Sequence, residues 1–152
     1  MSRESKLITA KEFDTQTTIT HYESFGWELL SINGNQITMS RETQNPVFTD
    51  LVKHQAQYET LLQKYRSLVS PIAPVKPHPF SFKTCFLTFV LLVLPCVAYV
   101  TYKIIKKKKY NEAFANYDAE LTAYIAKKNE LLKQMEDVAL ESRGIFFSQN
   151  NQ

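Results

Sequence analysis

Thr84 to Tyr102 reads TCFLTFVLLVLPCVAYVTY, a run without one charged side chain in a chain of which 22% is Asp, Glu, Lys or Arg. At about 1.5 Å per helical residue it extends roughly 28 Å. Ile104 and Ile105 lengthen it if Lys103 reaches back toward the headgroups, matching a hydrocarbon core of about 30 Å. One transmembrane helix is therefore expected over 84–105. The remaining chain is too small to surround an all-apolar helix on every side, which argues against a buried core helix. The run lies behind a long polar segment, so it is not a cleavable signal peptide. Pro95 implies a kink near Leu91, because its ring displaces the carbonyl one turn earlier. A re-entrant hairpin turning at Pro95 is the lesser alternative, since lipid-facing non-helical backbone is disfavoured.

The charges beside the run suggest an orientation. Lys106, Lys107, Lys108 and Lys109 follow it without interruption and Lys103 precedes them by a turn, whereas the other near flank offers Lys76 and Lys83. By the positive-inside rule the C-terminus is expected in the cytoplasm, although export of the charged residues 1–83 without a signal peptide argues the other way. The same lysines are candidates for contact with lipid headgroups, the simpler reading being a stop-transfer flank. With 18 Lys+Arg against 15 Asp+Glu the net charge is +3, and no basic stripe with interleaved aromatics points to nucleic acid. Both cysteines, Cys85 and Cys96, fall inside the run and too far apart on one helix for a disulfide.

Before the run the chain reads as a small α+β module, residues 1–45. SKLITA (5–10) suits a strand and Glu12 to Phe25 a short helix, with Gly26 as a left-handed cap. Trp27 to Ile32 and Gln36 to Arg41 flank Asn33-Gly34-Asn35, a hairpin signal of the type I′ class. The order is β-α-β-β. Trp27, the only tryptophan, is a core residue on the simplest reading and a recognition surface on the sharper one.

The stretch Phe25-Gly26-Trp27-Glu28-Leu29-Leu30-Ser31-Ile32, a turn, and a strand ending near Arg41 resembles a small bacterial domain-of-unknown-function family. Its members read GWELVSV, then a turn, then a strand closing on Arg. The similarity covers about residues 5–43. It implies a β-α-β-β fold and a bacterial origin, and brings no catalytic residues with it.

Two further segments are patterned as helices. In 46–70, Phe48, Leu51, Tyr58, Leu62, Tyr65 and Val69 keep a 3,4 spacing that Gln55 interrupts. A proline-rich linker, 71–83, follows. Beyond the run, 106–143 continues without Gly or Pro, so the membrane helix should extend into it and make the chain mostly α. There Tyr110, Phe114, Tyr117, Leu121, Tyr124, Lys128, Leu131 and Met135 repeat at alternating steps of four and three. Such a seam is expected to self-associate, giving a homo-oligomer, with Lys128 as a polar residue that sets register. Ile125, Leu132 and Ala139 widen the stripe, and packing on the chain's own N-terminal helix is the competing reading, which a single crossing forbids. Arg143-Gly144 should end the helix and leave a tail, 144–152, whose Ile145, Phe146 and Phe147 fold back on the last turn.

No catalytic, metal-binding or cofactor-binding motif is present. The three histidines are scattered, and His54 four residues after Asp50 is an ordinary surface pair. The reading is of a non-enzymatic, single-pass membrane protein that scaffolds or recruits a protein partner. The alternative is a membrane-anchored ligand or peptide sensor built around Trp27.

Overall fold

The computed structural model describes residues 2–78 and 93–149. They divide into two compact units, one formed by Met1–Leu68 with Lys127–Gln152 and the other by Val69–Ala126. The first unit is here called the head.

In the head, β1 (Arg3–Thr9), α1 (Thr15–Glu23), β2 (Glu28–Asn33) and β3 (Gln36–Glu42) form the β-α-β-β module. The sheet is antiparallel with β3 in the middle, in the order β1-β3-β2. Helix α1 starts later than the sequence suggests because Asp14 caps it, accepting from the Thr17 amide at 2.7 Å and its hydroxyl at 2.9 Å. Gly26 leaves the helix at φ 79°, the left-handed conformation its position predicts. The hairpin pairs Asn33 with Gln36, so its loop is Gly34-Asn35. Positive φ falls on Gly34 alone, at 59°, which is the II′ rather than the I′ pattern: glycine takes the first central position.

Strand alternation sends Ile8, Ile37 and Met39 to one face of the sheet, where α1 and α2 (Phe48–Arg66) cover them. Leu51, Gln55, Tyr58 and Leu62 form the buried stripe of α2. Phe25 and Tyr58 stack obliquely with centroids 5.4 Å apart, and Tyr22 meets both edge-on.

The last helix, α3 (Val93–Gln149), contributes the third layer. Met135 and Ala139 lie in the same apolar cluster as Phe25, Trp27 and Tyr58, with Leu132 and Val138 packed at its margin. Leu131 is also buried, and Met135 is only 1% exposed. Burying side chains of this size contributes roughly 1.5–3 kcal/mol each. The helix does not stop at Gly144 as its C-cap chemistry suggests; it runs on to Gln149. Phe146 explains why: its ring comes within 3.4 Å of where a Cβ on Gly26 would stand, so packing on the head outweighs the local stop signal.

With helices of 9, 19 and 57 residues against strands of 7, 6 and 7, the described chain is mostly α. The first part of the apolar run expected to span a membrane, from residue 84 to 92, lies outside the described residues, as does the linker from 79 to 83. Among the described residues no helix is long and apolar enough to cross a membrane.

Candidate functional site

A groove of about 700 Å³ opens between β1 and α2 on the head. Alternation along β1 points Lys6 toward α2, and the helical period places Glu59, Gln63 and Arg66 along the opposite wall. Lys6 pairs with Glu59, which also accepts from Gln55 Nε2 at 2.8 Å. Arg66 grips Glu12 with two parallel bonds of 2.7 Å.

These pairings set the protonation states. Burial pushes the Glu59 carboxyl upward, but the hydrogen bonds from Lys6 and Gln55 and the Lys6 charge outweigh it and hold Glu59 below its usual range. Glu12 is lowered chiefly by the hydrogen bond from Arg66. Burial, with the Glu59 charge beside it, pushes the Tyr22 phenol up to about 12, and burial raises Tyr58 as well. His21 shares a 2.7 Å hydrogen bond with Tyr58 Oη and is pushed down by burial, against the opposing charges of Glu136 and Asp14. At neutral pH the groove therefore holds paired ionised carboxylates and the protonated Tyr22 phenol, while His21 and Tyr58 lie outside its lining. Such a lining presents charges and hydrogen-bonding groups, Lys11 among them.

Trp27 offers no surface. It is 4% exposed, and its indole Nε1 donates to Gln55 Oε1 at 2.9 Å. Its ring carries the guanidinium of Arg41 at 4.5 Å, and that group also lies 4.8 Å from the Phe48 ring. Arg41 is buried yet satisfied: Nε donates to Glu4 Oε1 at 2.7 Å and Nη1 to the Phe25 carbonyl at 3.1 Å. Trp27 thus takes the core position of its simpler reading, bridging α2 and β3. Sequence reasoning passed over Gln55 and Arg41. The interruption of the apolar spacing at Gln55 was the one visible sign, since a polar residue at a core position needs a buried partner.

The heptad residues separate into two groups. Leu131 and Met135 belong to the core of the head, and Lys128 lies over the Tyr65 ring at 5.4 Å. Tyr110, Phe114, Tyr117, Leu121 and Tyr124 belong to the second unit. There Tyr110, Phe114 and Tyr117 form a ladder with centroids 5.9 and 6.1 Å apart, and Phe114 remains 46% exposed.

The lysines also lie in the second unit. Lys103 Nζ donates to the His78 carbonyl at 3.3 Å and sits 5.6 Å from the Tyr99 ring centroid, while Lys106 reaches Tyr102. Lys107, Lys108 and Lys109 are exposed on the helix. The Asp50/His54 pair is not a carboxylate–imidazole couple: the ring meets the Asp50 carbonyl at 2.8 Å, and the Asp50 carboxylate takes Lys53 at 3.1 Å. No cluster of metal-ligating side chains occurs among the described residues. Comparison with protein-family models, curated proteins and solved structures yields no match.

Proposed function

We propose that this chain is a non-catalytic scaffold attached to a membrane from one side, its apolar run entering the bilayer and returning to the face that carries the head. The observation that carries this reading is the burial of Met135 and Ala139 among the side chains of the N-terminal module. A single crossing would place residues 1–78 and the helix beyond Lys106 on opposite faces of a core about 30 Å thick, where they could not share a core within one molecule. The contact of His78 with Lys103 brings the two ends of the intervening stretch together. This topology leaves both flanks in the cytoplasm, as the lysines favour, and removes the need to export residues 1–83.

In this reading the groove beside β1 recognises a protein partner, and the half-buried ladder of Tyr110, Phe114 and Tyr117, continued by Leu121 and Tyr124, associates with a second copy. Membrane attachment raises the local concentration at which so short a seam pairs. Alkaline carbonate extraction tests the attachment: the protein is expected in the membrane pellet, and its release into the supernatant would remove the basis of the proposal.

A further inference from the structure

Where His78 meets Lys103, the second unit encloses a cleft of about 500 Å³, within the size range of small-molecule sites. Lys76 and His78 line one wall, and Lys103, Lys107 and Asn111 the other. Val100 and Ile104 complete the helical wall. Spacings of three and four residues put Val100, Lys103, Ile104, Lys107 and Asn111 on one helix face. Along that face Val100 stands nearest the apolar run, Lys103 and Ile104 follow side by side, and Lys107 and the Asn111 amide lie further on.

Lys76, Lys103 and Lys107 all line this cleft, and no carboxylate does so among the described residues. Gathering like charges without a counter-charge is unfavourable unless an anion is drawn in, and a concave wall concentrates that attraction. The aliphatic end restricts which anion fits best. A free anion gains nothing from Val100 and Ile104, whereas a phospholipid places a phosphate directly above its acyl chains.

We propose that this cleft binds the phosphate headgroup of an anionic phospholipid. Lys76, Lys103 and Lys107 take the phosphate oxygens, the Asn111 amide donates to the headgroup, and Val100 and Ile104 cover the first methylenes. The assignment rests on the membrane attachment proposed above. It differs from diffuse attraction by the whole lysine run in naming three lysines and leaving out Lys108 and Lys109, which do not line the cleft.

The full chain, reconstituted in nanodiscs of phosphatidylcholine alone or mixed with phosphatidylglycerol, is labelled with an amine-reactive acetylating reagent and each lysine quantified by mass spectrometry. Phosphatidylglycerol should protect Lys76, Lys103 and Lys107 several-fold while changing Lys108 and Lys109 little. Lys103→Gln should abolish the protection of Lys76 and Lys107, and Lys108→Gln should preserve it. Equal protection of all the lysines would overturn the site in favour of diffuse attraction. Equivalent protection by inorganic phosphate in phosphatidylcholine discs would overturn the lipid assignment. Failure of the protein to enter discs, visible beforehand by size exclusion, would instead refute the membrane attachment.

Discussion

Met135 and Tyr58, one from the last helix and one from the helix before the linker, are each 1% exposed within a single apolar cluster. The head is therefore built from both ends of the described chain.

This packing predicts unequal costs along the heptad seam. Met135→Ala should destabilise the head by about 2–5 kcal/mol, as expected for truncating a buried methionine. Phe114→Ala, at an exposed position, should change stability by less than about 0.5 kcal/mol. Denaturant unfolding followed through Trp27 fluorescence measures both, and similar values would mean that Met135 is not a core residue.

The limits of sequence reading follow from the same residues. The β-α-β-β order was legible because Asn33-Gly34, Gly26 and the strand alternation act locally. The 3,4 repeat over 110–135 revealed an apolar stripe but not what covers it, since an intramolecular helix and a second copy satisfy the same spacing. Gly144 misled because a local stop signal was outweighed by contacts with residues more than a hundred positions away, around Gly26. The groove beside β1 was invisible for a similar reason: Lys6, Glu12, Glu59 and Arg66 are brought together by the fold alone.

Gln55→Leu should cost about 1–3 kcal/mol, because it leaves the Trp27 indole N–H buried without an acceptor. The emission maximum of Trp27 should shift at the same time, since its one hydrogen bond to a side chain is lost. Unchanged stability together with unchanged emission would mean that the bridge contributes nothing.

Acid should destabilise the head in two stages. His21 is lowered from 6.5, and Glu12 and Glu59 from 4.5. Each of these groups binds its proton more readily in the unfolded chain, so its contribution is complete above the unfolded value and is lost as pH falls. Stability should therefore be flat between about pH 7 and pH 10, decline on the acid side first as His21 is protonated, and decline again below about pH 4.5. His21→Gln should flatten the first stage only, measured by denaturant midpoints across pH.

Two substitutions in the last helix should stabilise the protein. Ser142 is fully buried, and its hydroxyl has no partner among the described residues, so Ser142→Ala should raise stability by about 1 kcal/mol. Gly144 is helical, and the position a Cβ would take there is open space, so Gly144→Ala should add about 0.5–1 kcal/mol. Gly26→Ala is the control of opposite sign: at φ +79° its Cβ would meet Leu51 Cδ1 at 3.1 Å. A loss of stability in Gly144→Ala would restore the cap expected from the sequence.

The central claim is that both ends of the apolar run lie on one face of the membrane, and cysteine accessibility tests it most directly. In a Cys85→Ser, Cys96→Ser background, Ser2→Cys and Ser148→Cys are introduced separately and treated with a membrane-impermeant maleimide in sealed vesicles of known orientation. The account predicts that both positions are labelled from the cytoplasmic side and protected from the other. Labelling of the two from opposite sides would contradict it and establish a single crossing.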